Sequence, residues 1–200
     1  MIRLNRFHGD RMNLLLISLL IVMPEIALAH APEGAGGGFV TGFLHPIMGV
    51  DHLVAMVAVG LWGAFLGERA LWILPIVFPS IMAFGAAFGI VGLEIPLVEF
   101  VIALSGVVLG ALIALRVRAP LAIAMVLVGI FAIFHGYAHG VEMPEQISAI
   151  TYSAGFVIGT GLLHLAGVAI GFATRLPRGE LLVRGCGGVI SAIGLSYLVG

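Results

Sequence analysis

Ala119-Pro-Leu-Ala-Ile-Ala-Met-Val-Leu-Val-Gly-Ile-Phe-Ala-Ile-Phe-His-Gly-Tyr-Ala138 runs without one charged residue. A helix needs about 20 such residues to cross the hydrocarbon core of a bilayer. This stretch is the fourth of six comparable runs, the others covering 43–66, 71–91, 96–115, 147–173 and 181–199. Breakers and charges separate them: Gly67-Glu68-Arg69, Gly92 to Pro96, Arg116 to Pro120, Pro144-Glu145 and Arg175 to Glu180. A membrane barrel would alternate apolar with polar residues, whereas these runs are continuous, so the spans are helices. The fold expected is an all-α membrane protein, a six-transmembrane helix bundle.

Composition agrees. Apolar residues make up 61% of the 200-residue chain, charged residues 10%, and the mean hydropathy is +1.20. Soluble domains carry about 25% charged residues. All nine cations are arginine, and without lysine there is no Walker phosphate loop, retinal Schiff base or pyridoxal site. The chain shows no nucleotide-binding motif and no nucleic-acid-binding surface. The single cysteine, Cys186, excludes an internal disulfide or a cysteine-cluster metal site.

Residues 1–29 read as a cleaved signal peptide. Arg3, Arg6 and Arg11 precede a short apolar stretch from Leu14 to Met23, followed by Pro24 and an Ala27-Leu28-Ala29 cleavage site. Residues 30–200 then form one transmembrane domain with an outside amino terminus. Arg69, Arg116, Arg118, Arg175, Arg178 and Arg184 all fall in loops on the inner side. The outer segments carry Glu33, Asp51, Glu94, Glu99, Glu142 and Glu145. This distribution satisfies the positive-inside rule and puts both mature termini outside the cytoplasmic membrane. Glycine pairs at 63/67, 85/89, 106/110, 155/159 and 167/171 have the spacing that lets helix backbones approach. Pro75 and Pro79 should kink the second span.

Ionisable side chains inside spans are costly and mark function by default. One cluster is His45-Pro-Ile-Met-Gly-Val-Asp51-His52, at the start of the first span. The other is Phe134-His135-Gly-Tyr-Ala-His139-Gly-Val-Glu142, at the end of the fourth. His45 and His52 are seven apart, two helical turns, so they share a face. Asp51 either ligates beside His52 or fixes its tautomer. His135 and His139 stand at i and i+4, a spacing that grips one ion, and Glu142 continues the stripe. The first span runs inward and the fourth outward, so both clusters lie at the outer end. Imidazole and carboxylate without thiolate suit Ni²⁺, Co²⁺, Zn²⁺ or Fe²⁺ rather than Mg²⁺ or Ca²⁺. Met48 and Met56 read as packing residues. His164, in the fifth span, is either a deeper relay or a helix–helix hydrogen bond. His30, with Glu33 nearby, either captures an ion or belongs to a glycine-rich tail.

These two motifs resemble those of the HupE/UreJ family of nickel/cobalt permeases, H-x5-D-H in the first mature helix and F-H-G-x-A-H-G-x-E in the fourth. Both are complete here, and the resemblance covers nearly the whole chain. The amino terminus, often richer in histidine in this family, has only His30. The resemblance implies transport rather than catalysis: uptake of Ni²⁺ or Co²⁺ as cargo, with no permanently bound cofactor, supplying hydrogenase or urease maturation machinery. An intramembrane zinc-dependent hydrolase built on the same cluster is the alternative. A scaffold or sensor fits less well, since the loops are short.

Amino-terminal sequencing of the membrane-inserted protein is expected to begin at His30; a start at Met1 would contradict the signal-peptide reading.

Overall fold

The computed structural model describes residues 35–144 and 146–200. The signal-peptide segment, His30, Glu33 and Glu145 lie outside them. The described residues form helices and no strand. They are α1 (Ala35–Met48), α2 (Val50–Leu66), α3 (Glu68–Ile90), α4 (Val98–Ala114), α5 (Leu121–Val141), α6 (Ala149–Gly171) and α7 (Gly179–Val199). A 3₁₀ turn, Phe172–Arg175, extends α6.

The helices α3, α5, α6 with its 3₁₀ turn, and α7 are each long and apolar enough to cross a bilayer. α4 is apolar but shorter, at 17 residues. α1 and α2 qualify only as a pair. Among the described residues this is a multi-pass helical membrane protein.

The first span departs from the sequence expectation. Residues 43–66 do not form one helix, because α1 and α2 meet at an 80° bend. Gly49 stands between them in extended backbone, φ −79° and ψ 108°. Pro46, inside the last turn of α1, has no N–H to return to the preceding turn, which weakens the helix just before the break. Glycine then has the least to lose by leaving helical geometry. His45 and His52 therefore sit on different helices rather than on one face. α1 also starts earlier than expected, so most of the glycine-rich stretch is helical from Ala35. α3, by contrast, runs unbroken through Pro75 and Pro79.

α2 is the central element. From Val54 to Gly63 nearly every residue is buried, including Met56, Leu61 and Trp62. A helix apolar on all sides belongs inside a bundle. α1 and α2 pack on α6, α3 packs on α5, and α4 packs on α7. The outer faces carry Trp72, Ile76, Phe84, Leu162, Leu165 and Leu181 in exposed positions, as lipid requires.

Glycines set these contacts. A Cβ on Gly136 or Gly140 would collide with the carbonyls of Met82 or Ala86 across the α3–α5 crossing. Gly155 meets the Phe39 carbonyl on α1, Gly167 the Val57 carbonyl on α2, and Gly110 the Ser191 amide on α7. Four of the five spaced pairs thus lie at crossings. The fifth does not: Gly67 is the turn between α2 and α3, at φ +116°, a conformation side chains resist.

Arg69, Arg116, Arg118, Arg175, Arg178 and Arg184 lie in or within two turns of the connections α2–α3, α4–α5 and α6–α7, at the end away from His52 and His139. Arg116 Nη1 pairs with Glu180 Oε1 at 2.8 Å. Arg184 Nε donates to the Ala114 carbonyl at 2.9 Å, and the Trp62 indole donates to the Val117 carbonyl at 3.3 Å.

Gly110→Val is expected to destabilise the protein by about 1–3 kcal/mol through overpacking at the α4–α7 contact. Gly185→Ala, with open space around it, should melt like the unchanged protein. Thermal unfolding in detergent compares the two.

Candidate metal centre

The break at Gly49 turns the end of α1 across the top of α5. His45 falls in the last turn of α1 and His139 in the last turn of α5, with Glu142 capping the latter. His45 Nε2 lies 3.0 Å from Glu142 Oε2, and His139 Nδ1 lies 3.9 Å from the same oxygen. One ligand atom from each of the three comes within 4.8 Å of the others. Imidazoles hold a divalent ion such as zinc at about 2.1 Å, so two ligands on one ion stand at most roughly 4.2 Å apart. The widest spacing would shrink by roughly 0.6 Å or more on binding. Helix C-termini carry partial negative charge, so two converging there favour a cation.

His52 and His135 form a second tier below. The His52 ring centroid is 4.4 Å from that of His139 and 5.1 Å from that of His135. His135 Nδ1 donates to the Phe131 carbonyl at 2.9 Å. A carbonyl only accepts, so Nδ1 carries the proton and Nε2 keeps its lone pair. His52 Nδ1 faces Asp51 Oδ1 at 3.1 Å, with the same consequence. Both Nε2 atoms are buried without a partner, as are both ring nitrogens of His139. Polar atoms buried without partners are rare and call for an explanation. Lone-pair nitrogens held in place by a carboxylate or carbonyl behind the ring are the usual arrangement of metal-ligating histidines.

Asp51 therefore fits the orienting role of the two left open, and its place in the first turn of α2 suits a carboxylate. His45, His52, His135, His139, Asp51 and Glu142 are brought together. His164 is not: it is buried on α6 against Phe78, its ring centroid 5.5 Å from that of Phe78. Glu94 and Glu99 are exposed.

The family described as HupE / UreJ protein matches residues 17–197. Protein HupE of Rhizobium leguminosarum bv. viciae is 41% identical over 180 residues, covering 90% of this chain and 94% of that protein. The chain belongs to the HupE/UreJ family. No solved structure matches it. HupE/UreJ proteins are metal transporters or accessory proteins, not enzymes, which sets aside the zinc-hydrolase alternative.

In this HupE/UreJ chain three aromatic residues that sequence reading passed over complete the surroundings. Phe156 packs on His139 at 4.2 Å between centroids, Tyr152 lies 5.9 Å from His45, and Phe78 lies 5.5 Å from His135. Tyr152 and Phe156 are four apart on α6, and that spacing was the only signal available. A cavity of about 70 Å³ lies against His139, bordered by Met82, Ala86, Tyr152 and Phe156.

Proposed function

We propose that the chain is a secondary permease that carries Ni²⁺ or Co²⁺ inward across the cytoplasmic membrane. The convergence of His45, His139 and Glu142 above His52 and His135, at one end of a helical membrane bundle, supports this reading most. Membership of the HupE/UreJ family supports it independently. The bundle crosses six times, with the broken α1–α2 pair as the first crossing and α4 as a short third. The cluster faces outward and the arginine-bearing connections face the cytoplasm, in keeping with the positive-inside rule. Residues 1–29 serve as the signal peptide.

An arriving ion exchanges water for imidazole and carboxylate at the exposed His45–Glu142 mouth, then passes to the buried tier. Ligands of this kind suit Ni²⁺ and Co²⁺ alike. Inward movement of a divalent ion gains about 4.6 kcal/mol per 100 mV of membrane potential, so no nucleotide is needed. Metal delivered this way supplies hydrogenase or urease maturation.

In a host lacking its own nickel transport, His52→Ala and His135→Ala should each cut radioactive nickel accumulation by about tenfold or more at unchanged protein level. Glu94→Ala should leave it unchanged, and an uncoupler should depress it. Normal accumulation in both histidine variants would overturn the reading.

A further inference from the structure

α6 turns a buried residue toward the bundle at every fourth position: Tyr152, Phe156, Thr160 and His164. Each step advances about 6 Å along the helix axis. The first two border the outer centre. The other two take no part in it, and His164 stands about 12 Å deeper than Phe156.

His164 is 1% exposed and Thr160 is wholly buried. Both ring nitrogens of His164 and the Thr160 hydroxyl lack partners. A third group points the same way. Pro79 has no N–H, so the carbonyl of Pro75, four residues before it, loses its intrahelical donor. That carbonyl lies near the His164 ring without meeting the geometry of a hydrogen bond.

One ring separates these groups from the outer tier. Phe78 is fully buried, and its centroid is 5.5 Å from both His135 and His164. Opposite it, Gly60 of α2 lies against the backbone carbonyl of His164, where any Cβ would collide. Toward the arginine end, Leu74 and Trp62 are fully buried and close the bundle.

We propose that His164 and Thr160, with the Pro75 carbonyl, form a second, deeper station for the divalent cation, reached from the outer histidines past the Phe78 ring. The inference rests on the permease reading and adds an intermediate stop to it. One imidazole and two neutral oxygens make a poorer ligand set than the outer centre. A transported ion needs such weakening to be released.

The test uses the full chain in lipid nanodiscs, with Co²⁺ alone as the probe. The variant with His45, His52, His135 and His139 all changed to Ala should retain one weak Co²⁺ site, and adding His164→Ala should weaken that site by about tenfold or more. No residual site, or one indifferent to His164, overturns the proposal. In proteoliposomes, His164→Ala should lower the maximal Ni²⁺ uptake rate about tenfold and the near-isosteric Thr160→Val about threefold, with the half-saturating concentration unchanged. Unchanged maximal rates, or losses confined to half-saturation, also overturn it. A protein that moves no ion yet keeps the His164-dependent Co²⁺ site supports the deep station while defeating the permease reading.

Discussion

Hydrocarbon offers an imidazole nothing to hydrogen-bond with, and this constraint governs how the bundle handles its histidines. His52 and His135 each settle one nitrogen, on Asp51 and on the Phe131 carbonyl, and leave the other bare. His139 and His164 leave both bare. A buried unsatisfied group costs on the order of 1–3 kcal/mol, a serious fraction of the stability of a typical protein. A chain that bears several must recover the loss through packing. The glycine-lined crossings of α3 with α5, of α4 with α7 and of α6 with α1 and α2 bring backbones into direct contact. Tight helix pairs hold a polar interior that lipid would otherwise reject.

The break at Gly49 gives that interior its shape. Were residues 43–66 one straight helix, His45 would lie about 10 Å above His52 along the axis. The 80° bend instead brings the carboxyl end of α1 over the carboxyl end of α5. His45 and Glu142 then meet at 3.0 Å, and a partly exposed mouth stands above a buried tier. The negative ends of two helix dipoles point at the same spot, which favours positive charge there.

Much of this was legible in the residues. Long uncharged runs gave the helices, and the two histidine motifs could be placed at one end of the bundle by counting crossings. The break was not legible, because apolar residues continue through 43–66 and periodicity cannot see a bend inside a continuous run. Pro46 followed by Gly49 was the available sign. Glu142 could equally have been a solvated loop carboxylate, and only its approach to His45 ties it to the cluster. Asp51 had two open roles, and the facing nitrogen of His52 favours one. Phe78 and Phe156 look like ordinary core residues until their rings are found against His135 and His139.

X-ray absorption at the nickel edge, on the full chain loaded with one equivalent of Ni²⁺ in nanodiscs, tests most directly whether the broken first span and α5 share one ion. The account predicts nitrogen and oxygen scatterers with two or more imidazoles, no sulfur, and a weaker imidazole signal after His45→Ala or His139→Ala. An all-oxygen shell, or a shell unchanged by both substitutions, would contradict it.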